Sequence, residues 1–146
     1  MRTAMTLGLA LLLAGCAGNS APLATPEQDA AGKQFVSPAT GLAALYVFRE
    51  TGGGPDFTVT SEGRTLGRLG GHQWLRVELA PGTHAVHCTA SKYSDLVSTT
   101  YVNLLPDTIH YASATLWESG FSCRLIVEDR DFMGSITRGT RVQELP

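Results

Sequence analysis

No run of basic residues occurs in these 146 residues, and charge of either sign is sparse at 16%. Eleven basic side chains face thirteen acidic ones, for a formal net charge of −2. A nucleic-acid surface needs clustered lysine and arginine to displace counterions from phosphates, so the composition argues against a nucleic-acid partner. No apolar run reaches the roughly 18 to 20 residues that span a bilayer as a helix. No segment repeats apolar residues at helical spacing over ten residues or more, which argues against a helical domain.

Motifs that carry chemistry are missing as well. There is no Gly-x-Ser-x-Gly nucleophile elbow, and Ser119-Gly120 sits in a turn without special flanks. Gly67-x-x-Gly70-Gly71 lacks the lysine and the following helix of a phosphate loop. His84 and His87 are the one close pair among four histidines. Three apart on a strand, they point to opposite faces and do not readily share a metal ion. Asp129 and Asp131 flank Arg130 and read as a solvated strand end. The expectation is a protein with no catalytic residues, no cofactor and no metal.

What is present begins with the first sixteen residues. Arg2 gives a positive start, Leu7 to Leu13 is a short apolar core, and Leu13-Ala14-Gly15-Cys16 follows. A charged end, a short apolar core and small residues before a cleavage point are the parts of a secretory signal. Cys16 directly after Ala14-Gly15 looks like a bacterial lipobox, whose cysteine accepts a diacylglyceryl group. The plainer alternative is an ordinary signal cut near Ala17. Several acyl chains anchor stably, because each buried methylene contributes roughly 0.8 kcal/mol. Ala17, standing where an aspartate would favour retention at the inner membrane, points to the outer membrane of a Gram-negative envelope, facing the periplasm.

Residues from Cys16 onward number 131, enough for one domain. Of three cysteines, lipidation would use Cys16 and leave Cys88 and Cys123 as an even pair. An exported protein meets an oxidising compartment, so a Cys88–Cys123 disulfide is expected. Residues 16–41 read as a lipidated cysteine and a mobile tether, rich in small residues, with Pro22, Pro26 and Pro38 and no apolar period. A flexible coil of that length would reach roughly 25 to 30 Å.

From Leu42 the pattern changes to short β-type runs between turn residues. Ala44 to Arg49 is the first. Phe57 to Ser61 leads through Glu62-Gly63, a hairpin turn, into Arg64 to Leu69, and Gly70-Gly71 breaks the chain. Trp74 to Leu79 alternates, with Leu75, Val77 and Leu79 on one face and Trp74, Arg76 and Glu78 on the other. Pro81-Gly82 is a turn pair, after which His84 is placed to support the turn by a hydrogen bond. Val86, Cys88 and Ala90 share a face of the next run. Leu96 to Leu104, Ile109 to Trp117 and Phe121 to Val127 complete the strands. Asp131 to Gly134 could make one turn of helix, and Val142 to Pro146 an edge strand or a frayed end. Six to eight strands with regular turns predict an all-β fold: a single antiparallel β-sandwich of the immunoglobulin or prealbumin kind over residues 42–146, after a signal peptide at 1–15 and the tether.

Residues 43–130 resemble a family of small bacterial lipoproteins built on a β-sandwich domain of unknown function. The resemblance rests on Ala44-Leu45-Tyr46-Val47-Phe48-Arg49; on Val59 with Gly63-Arg64 and Gly67; on Leu79-Ala80-Pro81-Gly82-Thr83-His84 with Val86; and on Pro106-Asp107-Thr108-Ile109-His110-Tyr111. The chain departs from that pattern at Asp107, where glycine is usual, and at His110, where an aromatic is common. The resemblance implies an envelope lipoprotein with no assigned catalytic residues.

Together these observations predict a non-catalytic envelope lipoprotein, a binding or scaffolding module for another envelope protein or a glycan. The alternatives are a small envelope hydrolase and a glycan-binding module. Trp74 with Arg76 and Glu78 is the candidate partner contact, because interface anchors are enriched in tryptophan and arginine. The competing reading of Trp74 is cover for a sheet edge. Trp117, on a face with Ile109 and Tyr111, reads as core.

Overall fold

A computed structural model describes residues 22–90, 97–116, 123–128 and 132–145. Cys16 and its leader, Trp117, Ser119-Gly120, Phe121 and the Asp129–Asp131 stretch lie outside the described residues. The strands are β1 (Ala43–Phe48), β2 (Phe57–Ser61), β3 (Arg64–Leu69), β4 (Gln73–Leu79), β5 (Gly82–Ala90), β6 (Val97–Leu104), β7 (Ile109–Leu116), β8 (Cys123–Glu128) and β9 (Thr140–Arg141). Two short helices, α1 (Pro26–Gly32) and α2 (Met133–Arg138), lie before and after the main strands.

The strands form two layers, as expected for an all-β sandwich. One sheet has the order β8-β7-β1-β4-β9 and the other β3-β2-β5-β6. Pairing is mostly antiparallel, but β1 runs parallel to β7 and β4 parallel to β9. The chain crosses from the second sheet to the first through the turn at Leu105–Thr108, so β7 starts at the same end as β1.

Turn chemistry explains most of the boundaries. Glu62 and Gly63 both have positive φ, 52° and 77°, the type I′ pattern that matches the twist of a two-residue hairpin. Asp107 has φ 58°, a left-handed conformation that favours glycine and that aspartate tolerates. Its carboxylate also accepts a hydrogen bond from the Gly41 amide at 2.8 Å. That is the physical reason glycine and aspartate can exchange there. His110, the second departure, accepts the Leu105 amide at 2.9 Å. His84 Nε2 lies 2.7 Å from the Ala80 carbonyl, supporting the Pro81-Gly82 turn.

The main core lies between the sheets. Leu45 and Val47 meet Leu75, Val77, Val86, Cys88, Ala112, Ala114 and Leu125 there. Cys88 on β5 and Cys123 on β8 are joined by a disulfide with Cα atoms 5.8 Å apart, so the staple runs from one sheet to the other. A second cluster covers the outer face of the first sheet. It contains Ala44, Tyr46, Phe48, Trp74 and Ile136, with Phe35, Ile109, Tyr111 and Phe132 packed against them. β1 is therefore buried on both faces, which is why its sequence is apolar without alternation.

The tether expected over residues 17–41 is corrected from Pro22 onward. Residues 22–41 are folded against the sandwich. Thr25 caps α1 in a capping box: its hydroxyl accepts the Gln28 amide, and the Gln28 side chain accepts the Thr25 amide, with Pro26 at the first helical position. This pairing satisfies two free amides at once. Residues 140–145 likewise form an edge of the first sheet. β9 pairs with β4, and Val142 is fully buried and bridges Leu23.

Candidate functional site

Trp74, Arg76 and Glu78 do share the outer face of β4, as alternation predicted. Their expected role as an open partner contact is corrected: all three are occupied by the chain's own N-terminal segment. Trp74 is fully buried. Its ring stacks on Tyr46 at 5.6 Å between centroids, and Tyr46 stacks on Tyr111 at 5.7 Å. Phe35 lies 5.5 Å from Tyr46 on the other side, and the Arg141 guanidinium sits 5.6 Å over the Trp74 ring.

Polar contacts fasten the covering segment. Tyr46 donates its hydroxyl to the Gly32 carbonyl at 2.8 Å. Arg141 donates from its side chain to the Gln28 carbonyl at 2.8 Å, and its amide donates to Asp29 at 2.7 Å. Arg76 pairs with Glu78 at 2.7 Å and also reaches the Val36 carbonyl. Glu78 accepts the Ala39 amide at 3.2 Å. Burial raises the Glu78 pKa, but the Arg76 hydrogen bond, the Ala39 amide and the Arg76 charge together hold it below the usual carboxylate range. Burial pushes the Tyr46 hydroxyl up, against the opposing charge of Arg76. Burial, reinforced by neighbouring Arg76, lowers Arg141.

A small polar hollow of about 330 Å³ lies just beyond the C-terminal end of β1, lined by Arg49, Glu50, His72, Ser135, Arg138 and Gly139. It gathers a hydroxyl, a carboxylate and an imidazole. Ser135 donates to Glu50, and no hydrogen bond joins Ser135 to His72 among the described residues. Arg49 is buried beneath the Gly52–Pro55 loop. It donates to the carbonyls of Gly53, Pro55 and Leu69, and its guanidinium lies 4.0 Å over the Phe57 ring. It acts as a plug for that end of the core. Burial lowers its pKa, partly offset by the charge of Asp56.

His84 and His87 face opposite sides of β5. His84 is buried near Glu62, whose carboxylate is 2.9 Å from Nδ1. His87 lies on the outer face, bonded to Thr99 at 2.8 Å.

A further concavity lies on a flank that sequence reasoning did not single out. β6 and β8 are the edge strands of the two sheets on one side of the sandwich. Between them runs a groove of about 770 Å³ lined by residues 97–101 and 123–127. Thr100 donates its hydroxyl to the Leu125 carbonyl at 2.9 Å, tying the two edges at one point. Tyr101 is 72% exposed and Val97 56%, with Ile126 and Val127 each more than a third exposed. One signal was available in the sequence. Leu125, Ile126 and Val127 are consecutive apolar residues, so a half-buried strand must leave one of them in solvent.

The other flank is treated differently. There the N-terminal segment pairs with the end of β9: the Ala24 amide donates to Arg141 and the Gln143 amide to Pro22, at 3.0 and 2.9 Å. The Leu145 amide donates to Leu66 on β3, and Arg64 pairs with Glu144 at 2.8 Å. The chain's own termini seal that flank. No protein-family model matches this chain, and no curated protein matches it.

Proposed function

We propose that this protein is a lipid-anchored, non-catalytic binding module of the bacterial envelope, which engages its partner through the β6/β8 flank. The observation that carries the reading is the contrast between the flanks, one sealed by the chain's terminal segments and the other grooved and lined by both apolar and polar side chains. Edge strands are normally covered, charged or twisted away, because a bare edge recruits other chains. The leader ending at Cys16 supplies the anchor, and the Cys88–Cys123 bond suits an oxidising compartment. The folding of residues 22–41 shortens the link to the bilayer. Six Cα steps separate Cys16 from Pro22, at most about 20 Å when fully extended.

The resemblance to small envelope lipoproteins favours the same location. The hydrolase alternative draws on the hollow at Ser135, but a serine nucleophile needs a base poised to take its proton and then return it. Here that proton points to Glu50. The glycan alternative relied on Trp74 lining an exposed groove, and Trp74 is buried.

The reading is tested in two steps. Metabolic labelling with a fatty-acid analogue should mark the wild type and Cys88→Ser but not Cys16→Ser. Crosslinking from intact cells should then recover a partner that depends on the anchor. Label persisting in Cys16→Ser removes the anchor. Turnover of an envelope substrate by the wild type, lost in Ser135→Ala, replaces the binding module with an enzyme.

A further inference from the structure

We infer that the polar hollow beyond β1 is a second binding site, which takes a small zwitterion carrying an ammonium and a carboxylate. It is a small-ligand site and stands apart from the partner contact proposed above. Three chain segments frame it. Glu50 follows β1, His72 lies between β3 and β4, and Ser135, Arg138 and Gly139 come from α2 and its end.

Backbone contacts hold the frame rigid. The Arg49 amide donates to the Gln73 carbonyl at 2.9 Å, and the Thr140 amide to the His72 carbonyl at 3.0 Å. Ile136 is fully buried and fixes α2 on the outer cluster. Gly52 and Gly71 meet with no side chain between them, since a Cβ on Gly71 would fall 2.6 Å from the Gly52 Cα. A Cβ on Gly52 would lie 3.0 Å from His72 Nε2, so the imidazole rests on that contact. His72 itself has φ 56°, a left-handed conformation that strains most residues and that recurs at ligand clamps.

Charge specifies the ligand. Among the described residues, neither the Arg138 guanidinium nor the His72 imidazole has a hydrogen bond or an ion pair. Glu50 accepts the Ser135 hydroxyl through Oε1, and its Oε2 has no partner among the described residues. Glu50 and Arg138 border one hollow but form no ion pair with each other, which leaves a position between opposite charges. A lone anion is drawn to Arg138 and repelled by Glu50, and a lone cation meets the reverse. A neutral sugar would take water from both charges and return no counter-charge. A zwitterion answers both. Its carboxylate accepts from the Arg138 fork and the His72 N–H. Its ammonium donates to Glu50 and to the Ser135 oxygen, whose lone pairs stay free. The volume of about 330 Å³ is at the small end for ligand sites, which suits an amino acid or the end of a short peptide.

The test is an amide NMR titration of the isotope-labelled full-length protein, purified from membranes in mild detergent. The probes are alanine, alanyl-alanine, propionate, which is alanine without its ammonium, and ethylamine, which is alanine without its carboxylate. At least one of the two zwitterions should give saturable shifts at Glu50, His72, Ser135 and Arg138, with a Kd of about 1 mM or tighter. Propionate and ethylamine should bind about tenfold more weakly or worse. The tighter zwitterion tells a free amino acid from a peptide end. Arg138→Gln and Glu50→Gln should each weaken the zwitterion about tenfold. Arg138→Gln should not weaken ethylamine, and Glu50→Gln should not weaken propionate. Both side chains are exposed, so the variants should keep the wild-type melting temperature. The inference is overturned if propionate binds as tightly as the zwitterions, if neither zwitterion gives saturable shifts, if the shifts fall away from the hollow, or if affinity is indifferent to both substitutions. None of these outcomes bears on the anchor or on the β6/β8 flank.

Discussion

Gly32→Ala sets two effects against each other. Gly32 ends α1, and its φ is not in the left-handed region. In isolation alanine should favour the helix by up to about 1 kcal/mol. The packing opposes this. A Cβ at residue 32 falls inside the van der Waals shell of Trp74 Cη2, 3.0 Å from Cζ3 and 3.4 Å from Arg141 Nη1. The indole has nowhere to go, because Tyr46 stacks against it and Gly139 presses on its other edge, where a Cβ would lie 3.1 Å from Cδ1. Overpacking of this kind costs about 1–3 kcal/mol. After the helix term, the docked N-terminal segment should lose about 1–2 kcal/mol, roughly a tenfold rise in its open population. The strain falls on the segment and not on the sandwich, because α1 buries only this glycine. The assay is limited trypsin digestion. Lys33 is the one tryptic site between Arg2 and Arg49, and it is held in an ion pair with Asp29 at 2.6 Å. When reclosing outpaces cleavage, the rate tracks the open population. Cleavage after Lys33 should accelerate about tenfold while the melting temperature of the core barely moves. Cleavage equal to or slower than wild type would refute the packing argument and leave helix propensity in charge.

Replacing both Cys88 and Cys123 with serine opens a loop with a sequence separation of 35. In the chain-entropy account this should remove about 4 kcal/mol of unfolding free energy in urea, and a loss under about 1 kcal/mol would show that the staple constrains little. Arg49→Met leaves two loop carbonyls, Gly53 and Pro55, and the Leu69 carbonyl at the end of β3 without their donor and should cost about 2–4 kcal/mol, with faster amide exchange centred on residues 51–56; uniform exchange across the sandwich would argue against a local plug. Glu78 is held below its ordinary pKa, so its stabilisation of the docked segment is complete above about pH 4.3 and is lost as pH falls through the lower folded value. The Ala39 amide shift should titrate with a midpoint under about 4.3 and should lose that titration in Glu78→Gln; a midpoint at or above that value contradicts the clamp.

Local information was enough for the strands and their turns. Glu62-Gly63 and Pro81-Gly82 mark reversals because backbone sterics allow few residues there. Val86, Cys88 and Ala90 reveal a core-facing side by their period of two. The cysteine pair followed from counting, once Cys16 was set aside. The capping box Thr25-Pro26-Glu27-Gln28 was also legible, but a seven-residue helix carries no apolar period to draw attention to it. Alternation correctly put Trp74, Arg76 and Glu78 on one face. It could not say that residues 22–41 lie over that face, because that depends on contacts between positions as distant as Asp29 and Arg141. The same limit hid the groove. Nothing local to Tyr101 or Val127 reveals that β6 and β8 end up as neighbouring edges. That follows from the order of strands in two sheets, and only the tertiary structure decides which faces are covered and which strands end up as edges.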